Sequence, residues 1–303
     1  MIADETVLIL GAGASFDYGY PVGRTLMETI WDDLRRERTL YRLLHSCNFS
    51  MELIKRFGTD LRESNLPSID AFLEHRGVEF EGIGKAAIAG TLIPREIRAN
   101  LSRIGWYEYI HSRIIGRIDD FQRNKLTVVT FNYDRSFEAA LFFALQKSYN
   151  LTDTAAADYV KVIPVIHVYG QLGGLPHLSD NGRPYNPEVD ADVIQHAIQS
   201  IKIVHEGKED TPEFQLAQEK ISTAKVVCCL GFGYHPENVK RLGLSQTLNG
   251  AGKRVYLSTC GFTSRQATKI YNRIFPNGHT SDVRTEEWHL PVQEYLKATA
   301  ALE

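Results

Sequence analysis

The segment Leu8-Ile9-Leu10-Gly11-Ala12-Gly13-Ala14-Ser15 runs from an apolar stretch straight into a glycine turn. Glycine there allows a tight bend and lets backbone N–H groups approach a pyrophosphate with no Cβ in the way. A helix starting after it adds partial positive charge. A second segment, Thr130-Phe131-Asn132-Tyr133-Asp134, closes another apolar stretch. Asn132 does not titrate near neutral pH, so its chemistry would be to orient a water or a hydroxyl. Asn and Asp are also good helix N-caps, and Asp134 stands just before the helical pattern Ser136–Leu145. A third, Val165-Ile166-His167-Val168-Tyr169-Gly170, ends in a histidine and a glycine. An imidazole at that place is a natural general base near pH 7, or else a hydrogen-bonded structural residue. Gly231-Phe232-Gly233 follows Cys229-Leu230, with Pro236 suited to the first turn of the next helix. Ser258-Thr259 ends a fifth run, where hydroxyls could bond a ribose or cap a helix.

These five groups must be carried by five short strands: Val7–Leu10, Leu126–Phe131, Val165–Val168, Lys225–Leu230 and Arg254–Ser258. A sixth is expected near His279–Arg284. Near-continuous apolar strands separated by helical segments predict a parallel sheet covered on both faces. In such sheets, ligands bind outside the carboxyl ends of the strands, so all five groups would share one rim.

The stretch of about 24–122 reads as a helical insertion. Leu26, Ile30 and Leu34 share one face, Leu40, Leu43 and Leu44 continue it, and Ser68 can cap a helix bearing Ile69, Phe72 and Leu73. Ile97, Leu101, Ile104, Ile110, Ile114 and Ile118 form another apolar stripe. A second insertion, about 171–224, begins as the Gly/Pro/Asn-rich loop Gln171–Val189 and ends in two helices. A loop of that length is usually functional or mobile. The whole chain, 1–303, is read as one α/β domain of about six strands with these two insertions.

The composition excludes several classes. With 303 residues, 43% apolar and 23% charged, the chain is an ordinary globular one. Its net charge of −3 does not favour direct binding of nucleic acid. No run of about 18 apolar residues is present to span a membrane. The start, Met1-Ile2-Ala3-Asp4-Glu5-Thr6, lacks a basic n-region. The four cysteines, Cys47, Cys228, Cys229 and Cys260, show no C-x-x-C spacing. No metal site is expected from them, and a reducing, cytoplasmic setting is. The dehydrogenase fingerprint fails: Phe16 occupies the place of its third glycine, and Asp32 and Asp33, about 20 positions on, read as helix.

The ordered set Gly11–Ser15 with Gly19-Tyr20-Pro21, then Phe131–Asp134, then His167–Gly170, then Leu230–Gly233, resembles the sirtuin-like NAD-consuming family. It is most similar to the divergent bacterial branch found in antiphage defence. The resemblance covers nearly the whole chain in order. It implies a Rossmann-type domain that binds NAD as substrate and breaks its nicotinamide–ribose bond. By motif, Gly11, Ala12, Gly13 and Ser15 would hold phosphates, and Tyr20 and Pro21 would lie near nicotinamide. Asn132 would position the attacking water or ribose hydroxyl, His167 would act as base, and Asp134 would shape the nicotinamide pocket. Gly231, Gly233 and Ser258 would line the ribose and adenosine side.

The departures narrow the expectation. Protein-deacylating sirtuins carry a zinc module of two cysteine pairs, and this chain has none, which disfavours deacylation. Gly231-Phe232-Gly233 stands where the family has a Gly-Ser/Thr pair. No pair of acids marks the strand ends as in glycosidases, and none is required, because nicotinamide leaves without protonation. The expected function is NAD hydrolysis to nicotinamide and ADP-ribose. The alternative from another class is a module that senses NAD or ADP-ribose without turnover. The resemblance further implies a homo-oligomer controlled by a separately encoded HerA-type ATPase, since the chain has no G-x-x-x-x-G-K-[ST] loop of its own.

Overall fold

The computed structural model describes residues 1–103, 105–203, 211–284 and 289–303. Six parallel strands form one sheet: β1 (Thr6–Leu10), β2 (Leu126–Thr130), β3 (Val165–His167), β4 (Val226–Leu230), β5 (Arg254–Leu257) and β6 (Asp282–Arg284). Their order is β3-β2-β1-β4-β5-β6. The fold is α/β and Rossmann-like, with helices flanking the sheet. β1 and β4 are buried at every residue. That is why they read as unbroken apolar runs: side chains on both faces of a covered parallel strand meet protein. β6 is short and mostly exposed, hence its faint pattern.

The helices, in chain order, are α1 (Gly23–Arg35), α2 (Thr39–Ser46), α3 (Met51–Glu63), α4 (Ile69–Leu92), α5 (Arg98–Leu101), α6 (Trp106–Ile114) and α7 (Ser136–Tyr149). They continue with α8 (Asp153–Val160), α9 (Ala191–Ile198), α10 (Pro212–Thr223), α11 (Pro236–Arg241), α12 (Leu244–Thr247), α13 (Ser264–Ile274) and α14 (Val292–Thr299). Between β1 and β2 the chain is helical, with α1, α2 and α3 packed around α4. Leu26, Ile30 and Leu34 are the buried face of α1. Ser68 caps α4 by accepting from the Ala71 N–H at 3.2 Å. The second half of α4, through Ala86-Ala87-Ile88-Ala89, is buried all round, as a helix without a polar face must be.

One expectation is corrected. The stripe from Ile97 to Ile118 is not one continuous face: Gly105 stands between α5 and α6, and Ile97 is exposed. Ile104 lies outside the described residues. A Cβ on Gly105 would meet the Tyr18 hydroxyl at 2.6 Å, so glycine is required where that ring enters. After β3 a long loop from Gln171 leads to α9, and α10 precedes β4. Among the described residues, no helix is long and apolar enough to cross a membrane.

Candidate active site

Strand register sets the rim. Leu10 pairs with Thr130 on one side and Leu230 on the other, and Thr130 pairs with His167. The residues that follow, Gly11, Asn132 and Gly231, therefore gather with His167 at one edge. The sheet order reverses between β1 and β4, and in open α/β sheets the crevice at that reversal is where ligands sit.

At the reversal the two glycine turns interlock. The Gly11 N–H donates to Leu230 O at 3.1 Å, and the Gly13 N–H donates to Gly231 O at 3.0 Å. A methyl on Gly11 would lie 2.6 Å from Gly231 O, and one on Gly231 would lie 2.1 Å from Ala14 N. Gly231 also has φ +57, a left-handed conformation that favours glycine. These glycines thus serve close backbone packing, and two of the amides on the turn are already spent on it.

Asn132 is buried beside this junction. Its Nδ2 donates both hydrogens, to Gly11 O and to Ser15 Oγ, each at 3.0 Å. Its N–H donates to Thr130 Oγ1 at 3.0 Å. Among the described residues, Oδ1 has no hydrogen-bond partner, so the amide is fixed with one acceptor to offer. Ser15 in turn hydrogen-bonds Asp134, which also accepts from the Ser136 N–H and hydroxyl. The Tyr107 hydroxyl donates to Ser136 Oγ at 2.6 Å. Burial pushes the Asp134 carboxyl above the usual carboxylate range, against the bonds from Ser136 and Ser15 that favour its charge.

His167 lies directly alongside. Its Nδ1 donates to the Asn132 carbonyl oxygen at 2.9 Å and its Nε2 to Glu138 Oε1 at 2.7 Å. A carbonyl can only accept, so Nδ1 carries a proton; a carboxylate partner places another on Nε2. Burial works to lower the ring's proton affinity. The charge and hydrogen bond of Glu138, with the Asn132 carbonyl, outweigh it and raise the pKa above the ordinary histidine value. In this geometry the imidazole has no lone pair to offer.

Comparisons with protein-family models, with curated proteins and with solved structures return no match.

The expected residues divide into two groups. Gly11, Gly13, Ser15, Asn132, Asp134, His167 and Gly231 form one connected cluster, with Ala12 half-buried inside the first turn. Tyr20 is buried, its hydroxyl 2.9 Å from that of Tyr185, and Asp134 is close enough to raise its pKa further above the tyrosine range. Pro21 is half-buried beside it. Gly233 is exposed and faces open space. Ser258 is joined to the β4 turn only indirectly, through the Tyr234 hydroxyl, which donates to Ser258 O at 3.0 Å. Its own Oγ is buried with no partner among the described residues. The strand ends thus hold an orphaned hydroxyl, an amide fixed by its two donated bonds, and glycines packed against one another at the reversal.

Several residues were not singled out from the sequence. Glu138 is one; its signal was a lone acid within the otherwise apolar Ser136-Phe137-Glu138-Ala139-Ala140-Leu141. Trp106 is another, its indole N–H donating to Ala14 O at 2.6 Å and holding the first turn from α6. A third is a buried charge cluster: Glu96 accepts from Arg135 at 3.0 and 2.7 Å and from Arg183 at 2.6 Å. A cavity of about 310 Å³ opens between α6 and α7, bounded by Tyr107, Ile110, His111, Phe137 and Leu141; neither Asn132 nor His167 lines it. Among the described residues, no three His, Cys, Asp or Glu side chains converge as a metal site would need.

Proposed function

We propose that this chain hydrolyses NAD at the nicotinamide–ribose bond, releasing nicotinamide and ADP-ribose. The observation that carries the reading is the Asn132 amide. Both its hydrogens are committed to Gly11 O and Ser15 Oγ, which leaves Oδ1 to accept from a water or ribose hydroxyl at the sheet's reversal point. In the proposed reaction the C1′–N bond breaks with its electron pair going to the nicotinamide ring, which leaves neutral. The sugar passes through an oxocarbenium-like state, and water oriented by Asn132 adds to C1′. The water proton goes to His167, which must first pass one of its two ring protons to its present acceptor Glu138 and turn the freed nitrogen to that water. Holding one nucleophile and excluding the rest is work that fixed geometry performs well. Gly11, Ala12, Gly13 and Ser15 would serve the phosphates, Tyr20, Pro21 and Asp134 the nicotinamide, and Gly231, Gly233 and Ser258 the ribose and adenosine side.

The test is nicotinamide release from NAD by the purified chain, alone and together with candidate partners. Release that disappears in Asn132→Ala supports the reading; no release in any of these states overturns it. The family likeness of the motifs extends the proposal to an NAD-depleting antiphage effector, acting as a homo-oligomer with a HerA-type ATPase. Native mass spectrometry of the co-expressed pair tests that association.

A second reading, an NAD or ADP-ribose sensor without turnover, draws on a separate observation. Both His167 nitrogens donate, and the Gly11 and Gly13 amides are bonded within the protein. Calorimetric binding with no consumption of NAD would favour it.

A further inference from the structure

Glu138 lies in the first turn of α7 and is buried, with 8% of its surface exposed. The His167 side chain that it meets is equally enclosed. The ring is gripped at both ends: Nδ1 on the main-chain carbonyl of Asn132 and Nε2 on Glu138. The carbonyl belongs to the same residue whose amide faces the Gly11 turn. The ring is therefore a strut between α7 and the backbone that carries Asn132. Turning the imidazole over would put Cδ2 and Cε1 where the nitrogens now stand, so the two acceptors together fix the ring's orientation, and the Glu138 carboxylate fixes how many protons it holds. Histidines with a carboxylate on one nitrogen are oriented and made more basic by it.

We infer that Glu138 is the positioning residue of this site: it orients His167 and holds the second ring proton, so that the ring can act on water only as that proton passes to Glu138. This rests on the reading of the site given above. The balance is simple. The proton on Nε2 moves to the Glu138 carboxylate, the freed nitrogen receives the proton of the attacking water, and the hydroxyl oxygen bonds to C1′ as nicotinamide leaves. No oxidant or further reactant enters.

The charged or titratable groups facing the ring among the described residues are few. α7 contributes Glu138, and the turn before it contributes Asp134, whose charge acts in the same direction. β2 and the residues just after it contribute only the uncharged Thr130 and Asn132. α10, which packs on β3, brings Phe214 and, at its start, Glu213, already paired with Lys202 at 2.5 Å.

The experiment compares Glu138→Gln and Glu138→Asp with the full-length wild type. Gln keeps size and a hydrogen bond but not charge; Asp keeps charge one methylene short. The first readout is ¹⁵N NMR of the His167 ring, which needs no activity. The wild type should hold both ring protons well above the ordinary histidine pKa, and Glu138→Gln should release one at least roughly one pH unit lower, since a unit is the usual scale of such a partner. The second is steady-state NAD cleavage. Glu138→Gln should lose about 10²-fold or more in kcat, the usual worth of positioned acid–base chemistry, while KM stays within about two-fold; Glu138→Asp should recover part of the loss. An unchanged ring titration in Glu138→Gln overturns the inference, as does an unchanged kcat. So does a kcat loss that Asp fails to recover in any degree. If the wild type releases no nicotinamide at all, the hydrolase reading falls, while the ring titration still decides what Glu138 does to His167.

Discussion

Gly231 occupies the side-chain space of Gly11, and Gly13 and Ala14 occupy that of Gly231. A Cβ on Gly11 would sit 2.6 Å from Gly231 O, and the Gly13 N–H reaches the same oxygen at 3.0 Å. The two turns, from neighbouring strands β1 and β4, are therefore a single packed unit, and the roles expected of their glycines, phosphate binding for Gly11 and Gly13 and the ribose and adenosine side for Gly231, compete with a structural one.

That competition separates two substitutions on the β4 turn. Gly231→Ala combines a left-handed φ with a Cβ 2.1 Å from Ala14 N, and should cost more than about 3 kcal/mol or prevent folding. Gly233→Ala meets open space and should change stability by no more than about 0.5 kcal/mol. Chemical denaturation measures both. Because Gly233→Ala leaves the fold alone, any loss of NAD affinity in it reports on the ligand.

Asn132→Ala removes two donors and leaves Gly11 O without one of its hydrogen bonds. The expected stability loss is about 1–3 kcal/mol, with nicotinamide release falling to background. Asn132→Asp should be less stable than Asn132→Ala, because a carboxylate oxygen would face the Gly11 carbonyl where an N–H now donates. A melting series of the three proteins checks the order.

The charge cluster predicts a larger effect. The Glu96 and Arg135 side chains have no exposed surface, and Arg183 is nearly as enclosed. Arg135 also donates to Gly174 O at 2.7 Å, Arg183 O at 2.9 Å and Pro184 O at 3.1 Å, and so anchors the loop after Gln171. Glu96→Gln strips the only carboxylate that the described residues offer from two buried guanidinium groups, which should cost about 3–5 kcal/mol. Limited proteolysis should then cut within residues 171–189 faster than in wild type; an unchanged cleavage rate would contradict the anchoring role.

Stability should also depend on pH through His167. Its folded pKa is raised, so its contribution is fully present below the unfolded value of about 6.5 and is lost as pH rises through the folded value. The melting-temperature gap between wild type and His167→Gln should therefore be widest near pH 5.5 to 6 and shrink toward pH 9. A gap that widens with pH would mean that the ring is held neutral.

Much of the architecture was legible because burial on both faces makes strands such as Val7–Leu10 and Val226–Leu230 continuously apolar. With those strands in place, Gly11, Asn132, His167 and Gly231 stand at or just past their ends. What could not be read is whatever register and long-range contact decide. Nothing local in Gly231 says that its partner is Gly11. Glu96, Arg135 and Arg183 carry charges that a sequence reading assigns to the surface, and only the fold brings them together out of water. Ser15 and Ser136 are single hydroxyls in a chain that has many. Their part in the line from Asn132 to Asp134 exists only once the first turn and the start of α7 meet.

The central position of β1 has a consequence for how the protein is made. The first of these six strands to be synthesised is the one flanked by β2 and β4, so its full complement of backbone partners waits until β4 has been made. At roughly 5–20 residues per second that delay is about 10–40 s. During it, Val7-Leu8-Ile9-Leu10 is an apolar segment with at least one bare edge, the kind of nascent-chain surface that chaperones hold. Folding should accordingly be slow and governed by long-range pairing.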